Sequence, residues 1–151
     1  MARKPWLLIA LAVVLGGFSL YLNKDWFMGD RIQIYHRSRV MRVRPGRPVE
    51  LPPYAPVFFG FLTKLKLTDV KVVPVRELGT NKYPHVLWHL LSDSNSLPTK
   101  GFLYGGAVPG MRPAMKGVAA DPLEPGVKYR LLVEARSKKG QHDFIPEPRM
   151  P

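Results

Sequence analysis

Val127-Lys128-Tyr129-Arg130-Leu131-Leu132-Val133-Glu134-Ala135 is the stretch from which the architecture of this chain is read. Side chains alternate across a strand, so Val127, Tyr129, Leu131, Val133 and Ala135 share one face, and Lys128, Arg130, Glu134 and Arg136 share the other. An apolar face backed by a charged one is the pattern of an antiparallel strand with a core on one side and water on the other. The same period of two recurs upstream. Ile32 and Ile34 alternate with Gln33 and Tyr35, Leu65 and Leu67 with Lys64 and Lys66, and Val70 and Val72 flank Lys71. The face switches near Thr68-Asp69, where a bulge or turn is expected. Val57-Phe58-Phe59-Gly60-Phe61 suits a buried strand, and Val86 to Leu91 and Gly101 to Tyr104 read as further strands. Lys138-Lys139-Gly140-Gln141 reads as a hairpin into His142 to Ile145, and residues 105–122, rich in Gly, Pro and Met, as an irregular crossing.

Six to eight short strands with almost no helical period predict a mainly β chain, an antiparallel sandwich over residues 31–146 with a Pro-rich tail at 147–151. The 16 prolines in 151 residues argue against a helical bundle. Leu123-Glu124-Pro125-Gly126-Val127-Lys128-Tyr129, followed by Val133 and Ala135, resembles the E–F corner and F strand of fibronectin type III domains, one of the immunoglobulin-like sandwiches. The resemblance implies that Tyr129 is the tyrosine corner, its hydroxyl bonded back to upstream backbone, with Leu123 and Pro125 shaping the corner and Trp88 as core tryptophan. It covers about 25 residues, fits Arg31 to Val75 poorly, and implies architecture rather than chemistry.

Ahead of the sandwich, Trp6 to Leu22 reads WLLIALAVVLGGFSLYL, 17 residues without a charge. A helix of that length is about 26 Å long, at the short end of what spans a bilayer. Trp6 at one end, and Tyr21, Trp26 and Phe27 at the other, are placed like interfacial aromatics. A cleaved signal peptide would need a shorter apolar core and a small-x-small cleavage site; Phe18, Tyr21 and Leu22 stand where that site would be. An uncleaved, single-pass signal anchor is therefore expected, with residues 1–5 as a short basic N-terminus and 23–30 as a connector. Arg3 and Lys4 ahead of the span favour a cytoplasmic N-terminus and an extracytoplasmic domain, although Lys24, Arg31, Arg37 and Arg39 behind it oppose this. Ala12 and Gly16 form a small-xxx-small pair through which another helix could approach.

The search for chemistry yields little. The chain has no cysteine, which excludes disulfide scaffolds, thiolate metal centres and a thiol nucleophile. His85 and His89 have the i, i+4 spacing that chelates a metal on a helix, but Pro84 and Val-Leu-Trp favour a strand, where such residues lie roughly 13 Å apart. His36 and His142 read as surface or loop histidines, and neither metal nor cofactor is expected. Ser94, His89 and Asp93 are the ingredients of a hydrolase without a Gly-x-Ser-x-Gly elbow, and a serine-rich turn explains them as well. Trp88, Tyr83 and Tyr104 would offer a stacking platform for glycan or another envelope polymer if exposed.

The unusual feature is a run of six arginines with no lysine and no acid between residues 31 and 47: Arg31, Arg37, Arg39, Arg42, Arg44 and Arg47. The planar guanidinium forks onto carboxylate and phosphate, so the run suits an acidic partner subunit or anionic lipid headgroups, or it is a solvated strand face. The formal net charge of +12 fits either partner, while nucleic acid suits an anchored, exported domain poorly. The sequence thus points to a non-catalytic accessory, scaffolding or docking subunit of a larger membrane complex. A glycan-binding module is the alternative and a sandwich hydrolase the third reading.

Overall fold

A computed structural model describes residues 4–24, 31–39, 46, 50–92 and 96–150. The chain divides into two compact units, Met1–Asp30 and Arg31–Pro151. The first is a helix, α1 (Lys4–Leu22), which begins two residues ahead of the expected span. Pro5 in its first turn lacks only an N–H that has no intrahelical acceptor there. At its end the Asn23 backbone and side-chain amides both donate to the Ser19 carbonyl, at 3.0 and 2.9 Å. The 18 residues Pro5–Leu22 have a mean hydropathy of 2.0 and none is buried, so this helix is long and apolar enough to span a membrane.

The second unit is built from β1 (Ile34–Ser38), β2 (Val57–Leu65), β3 (Asp69–Pro74), a single helical turn α2 (Val75–Leu78), β4 (Trp88–Leu91), β5 (Thr99–Leu103), β6 (Arg112–Pro113), β7 (Tyr129–Ala135) and β8 (Lys138–Phe144). These strands form two antiparallel sheets, ordered β1-β2-β5 and β6-β4-β3-β7-β8. Both sheets turn their apolar faces onto one core. Phe59 and Phe61 from β2 and Phe102 from β5 meet Val70, Val72, Trp88, Leu131, Val133 and Phe144 from the other sheet. Phe59 is fully buried and stands edge-on to Phe144 with centroids 4.8 Å apart, while Phe102 lies 5.6 Å from Trp88. The architecture is therefore mainly β and sandwich-like, with β7 alternating buried and half-buried along its length.

Two local expectations are corrected, and one helical turn is added. The change of face near Thr68-Asp69 is neither bulge nor simple turn: the chain leaves the three-stranded sheet at Leu65 and enters the five-stranded one at Asp69. The last hairpin turns at Arg136-Ser137, because Ala135 pairs with Lys138, and Arg136 takes the left-handed φ of 58° that so tight a reversal requires. Pro74, extended at φ −68°, leads into the unexpected turn α2, a place where its missing N–H costs nothing.

Two contacts close the frame. The Ile32 N–H donates to the Lys139 carbonyl at 3.1 Å, tying the lead-in of the first strand to the last strand, and a Cβ at Gly140 would lie 2.7 Å from that of Ile32. At the other end the Ala55 N–H donates to the Glu147 carbonyl and the Arg149 N–H to the Pro53 carbonyl, so residues 147–149 of the tail are zipped to the approach to β2. Tyr129, 3% exposed, accepts at its hydroxyl a 3.0 Å hydrogen bond from the Glu124 N–H, with Leu123 buried beside the corner. Tyr129→Phe leaves that amide without its acceptor. It should cost about 1–3 kcal/mol, read as a lower urea midpoint at unchanged m-value for the full chain in detergent.

Candidate functional site

The outer face of the three-stranded sheet carries the described part of the arginine run. Arg31, Gln33, Tyr35, Arg37 and Arg39 are all exposed and alternate with Ile32, Ile34, His36 and Ser38, which turn inward. Across the sheet Tyr35 pairs with Gly60 and Gly60 with Gly101, while Arg37 pairs with Phe58 and Phe58 with Leu103. The two glycines make room for rings. A Cβ on Gly60 would collide with the Tyr35 ring; one on Gly101 would meet the Phe58 ring and stand 2.6 Å from the Phe59 carbonyl oxygen.

Each ring then carries a guanidinium. Arg37 stacks over Tyr35 at 5.5 Å and Arg39 over Phe58 at 4.8 Å, interactions worth about 0.5–1 kcal/mol each at exposed positions. Such a contact restricts two long side chains that would otherwise be free and leaves guanidinium N–H groups for further hydrogen bonds. Leu62, 64% exposed at the next outward position of β2, adds apolar surface.

The two sheets present opposite electrostatics. On the outer face of the five-stranded sheet the charges satisfy one another. Arg130 forks onto Asp143 at 2.6 and 3.0 Å, Lys71 meets Asp69 at 3.1 Å, and Lys139 meets Glu134 at 3.4 Å. The Arg130 fork holds the Asp143 carboxyl below its ordinary pKa. Among the described residues no carboxylate pairs with Arg31, Arg37 or Arg39. Arg42, Arg44 and Arg47 lie outside the described residues.

The remaining candidates are dispersed. Trp88 is 6% exposed and packs edge-on to Tyr104 at 5.2 Å; the Tyr104 hydroxyl donates to the Asp121 carbonyl, and burial pushes its pKa up. Of the three aromatics considered for a stacking platform, only Tyr83, 81% exposed, is open to a ligand. His89 faces Asp69 at 3.0 Å without an aligned hydrogen bond, and Ser94 and Asp93 lie outside the described residues. His85 sits in the loop before β4 and meets Asp121 at 2.7 Å, so the two histidines turn to different carboxylates. Ala12 and Gly16 lie one turn apart on α1, and a Cβ at Gly16 would meet nothing within 4 Å. Among the described residues there is no cluster of three metal-ligating carboxylates or histidines.

Sequence reasoning missed the pairing of His36 with His142, whose Nδ1 and Nε2 lie 2.6 Å apart across the β1–β8 seam. Alternation along β1 turns His36 inward, but nothing in the chain announces a partner 106 residues away. The chain matches no family model, no curated protein and no solved structure.

Burial, and then the neighbouring His36, push the pKa of His142 below its ordinary value, against a smaller opposing pull from Asp143. The unfolded chain therefore takes up this proton more readily than the folded one. Stability should be full above about pH 7 and fall as pH drops through the ordinary imidazole range near 6.5. His142→Gln should flatten that dependence in urea titrations at pH 5.5 and 7.5, and an unchanged slope would contradict it.

Proposed function

We propose that this chain is a single-pass membrane protein whose immunoglobulin-like, fibronectin type III-like sandwich docks an acidic surface of a larger membrane complex. It serves there as a non-catalytic accessory or scaffolding subunit. The observation that carries the reading is the contrast between the two outer faces, one with its charges mutually paired and the other with ring-supported arginines that make no ion pair among the described residues. An ordinary solvated face resembles the first. A face prepared for carboxylates resembles the second, because guanidiniums held over rings lose less freedom on binding than free ones.

The sandwich assignment draws on the Glu124–Tyr129 hydrogen bond and on β1, β2 and β5 forming one sheet against β4, β3, β7 and β8. Trp88 departs from the immunoglobulin pattern, since it stands on the fourth strand rather than the third. The anchor reading draws on the exposed apolar helix followed, after eight connecting residues, by Arg31. The N-terminal basic residues favour the sandwich on the extracytoplasmic side of the cell membrane.

The test is native purification in mild detergent of the parent and of a triple variant, Arg31→Gln, Arg37→Gln and Arg39→Gln, at physiological salt. A stoichiometric partner present with the parent and lost with the variant is the expected result. Retention of that partner by the variant would remove the arginine face from the proposal. Loss of binding to anionic vesicles, with no protein partner for either form, would reassign the face to lipid headgroups.

A further inference from the structure

We propose that the end of the second unit at which Arg31 enters is a lysine-rich surface that binds the anionic phospholipid headgroups of the bilayer, separately from the arginine face. Strand pairing gathers this end from distant parts of the chain. Leu65, the last residue of β2, pairs with Thr99, the first of β5. The Thr68 N–H donates to the Glu134 carbonyl at 2.8 Å and the Ser92 N–H to the Thr68 carbonyl at 3.0 Å, while Ile32 is bonded to Lys139. Lys64, Lys66, Lys100, Arg136, Lys138 and Lys139 are thereby brought to one end, and all are exposed.

The charge there is one-sided. Among the described residues the carboxylates at this end, Asp69 and Glu134, are met by Lys71 at 3.1 Å and by Lys139 at 3.4 Å. Lys64, Lys66, Lys100, Arg136 and Lys138 make no ion pair among the described residues. Asp93, in the connection from β4 to β5, lies outside them. The opposite end is mixed in sign: Arg76, Lys82 and Lys128 stand in the same turns and connections as Glu77, Asp121 and Glu124.

Connectivity and chemistry select the bilayer as the occupant. Residues 23–30 separate Leu22 from Arg31, and a fully extended chain of that length reaches about 28 Å. The inference rests on the reading of α1 as a membrane span, under which this tether keeps the Arg31 end within reach of headgroups. Lysine suits that occupant. A hydrated point charge on a flexible stem follows mobile phosphates without a fixed geometry, whereas the ring-supported arginines suit a fixed carboxylate. Leu97, 58% exposed and two residues ahead of β5, adds an apolar side chain able to enter the headgroup layer. Each basic residue near an anionic surface raises the bound population about fivefold, so neutralising four lysines lowers it by more than about a hundredfold. Recognition is of headgroup charge and works on either side of the membrane.

The experiment uses the full chain reconstituted in unilamellar vesicles. Because the chain has no cysteine, Ser137→Cys and Asn81→Cys each give a single labelling site, the first at the lysine-rich end and the second after α2 at the other. Energy transfer from the label to acceptor-bearing headgroups is measured in phosphatidylcholine alone and with about 30% phosphatidylglycerol, at about 0.1 M and about 0.5 M NaCl. The expected result is transfer from Ser137→Cys that rises roughly twofold with phosphatidylglycerol and returns in high salt to its value in phosphatidylcholine, with Asn81→Cys unresponsive. Lys64→Gln, Lys66→Gln, Lys100→Gln and Lys138→Gln together should abolish the rise, and Arg31→Gln, Arg37→Gln and Arg39→Gln together should keep most of it. Transfer indifferent to lipid charge, an equal rise at Asn81→Cys, or a rise that survives the lysine changes or is lost with the arginines would overturn the proposal and leave the anchor standing. A chain that alkaline carbonate strips from the vesicles would overturn the anchor reading and this proposal together.

Discussion

Everything in the second unit depends on one shared layer of rings between two sheets. Phe59 is removed completely from water, with Phe61 and Phe102 on its own side and Phe144, Trp88 and Tyr129 facing from the other. Aromatic side chains bury more area than any others and prefer the edge-on arrangements seen here, which lock the sheets in one relative placement. Once that layer is fixed, every odd-numbered residue of β1 must point outward, because a strand alternates. The arginine face is therefore a geometric consequence of the core on the reverse of the same strand.

The same constraint explains why glycines occur where they do. Gly60 and Gly101 are opposite each other on the outer face, and the space they leave is filled by the rings of Tyr35 and Phe58. Rings that lie flat across a sheet offer their faces upward, and Arg37 and Arg39 occupy them. Gly140 serves the seam instead, letting Ile32 approach β8 closely enough for its amide to reach Lys139. Substitution at any of these positions would act on the surface or the seam before it acted on the core.

The seam between β1 and β8 is where the polar chemistry of the fold collects. Both strands are edges of their sheets, and an open edge invites pairing with other chains. Here the edge is covered partly by the Arg31–Ile32 lead-in and partly by the imidazole pair. Protonation of His142 at that point would loosen the second unit, independently of what the arginine face binds.

The alternation of residues 127–135, the buried run at 57–61 and the apolar helix were legible from sequence because each is a local pattern, repeated every two residues or sustained over 17. So was the concentration of arginine, and so was the corner at Leu123 to Tyr129, whose hydrogen bond spans only five residues. The sheet assignment was not legible, since the crossing from Leu65 to Asp69 carries no signal that distinguishes a change of sheet from a bulge. Nor were the partners of the histidines. Strand register brings Asp69 to His89, the meeting of two loops brings Asp121 to His85, and the packing of one sheet on the other brings His142 to His36, over separations of 20, 36 and 106 residues. Sequence fixes which way a side chain points along its own strand; only the packing of one strand on another decides what it meets.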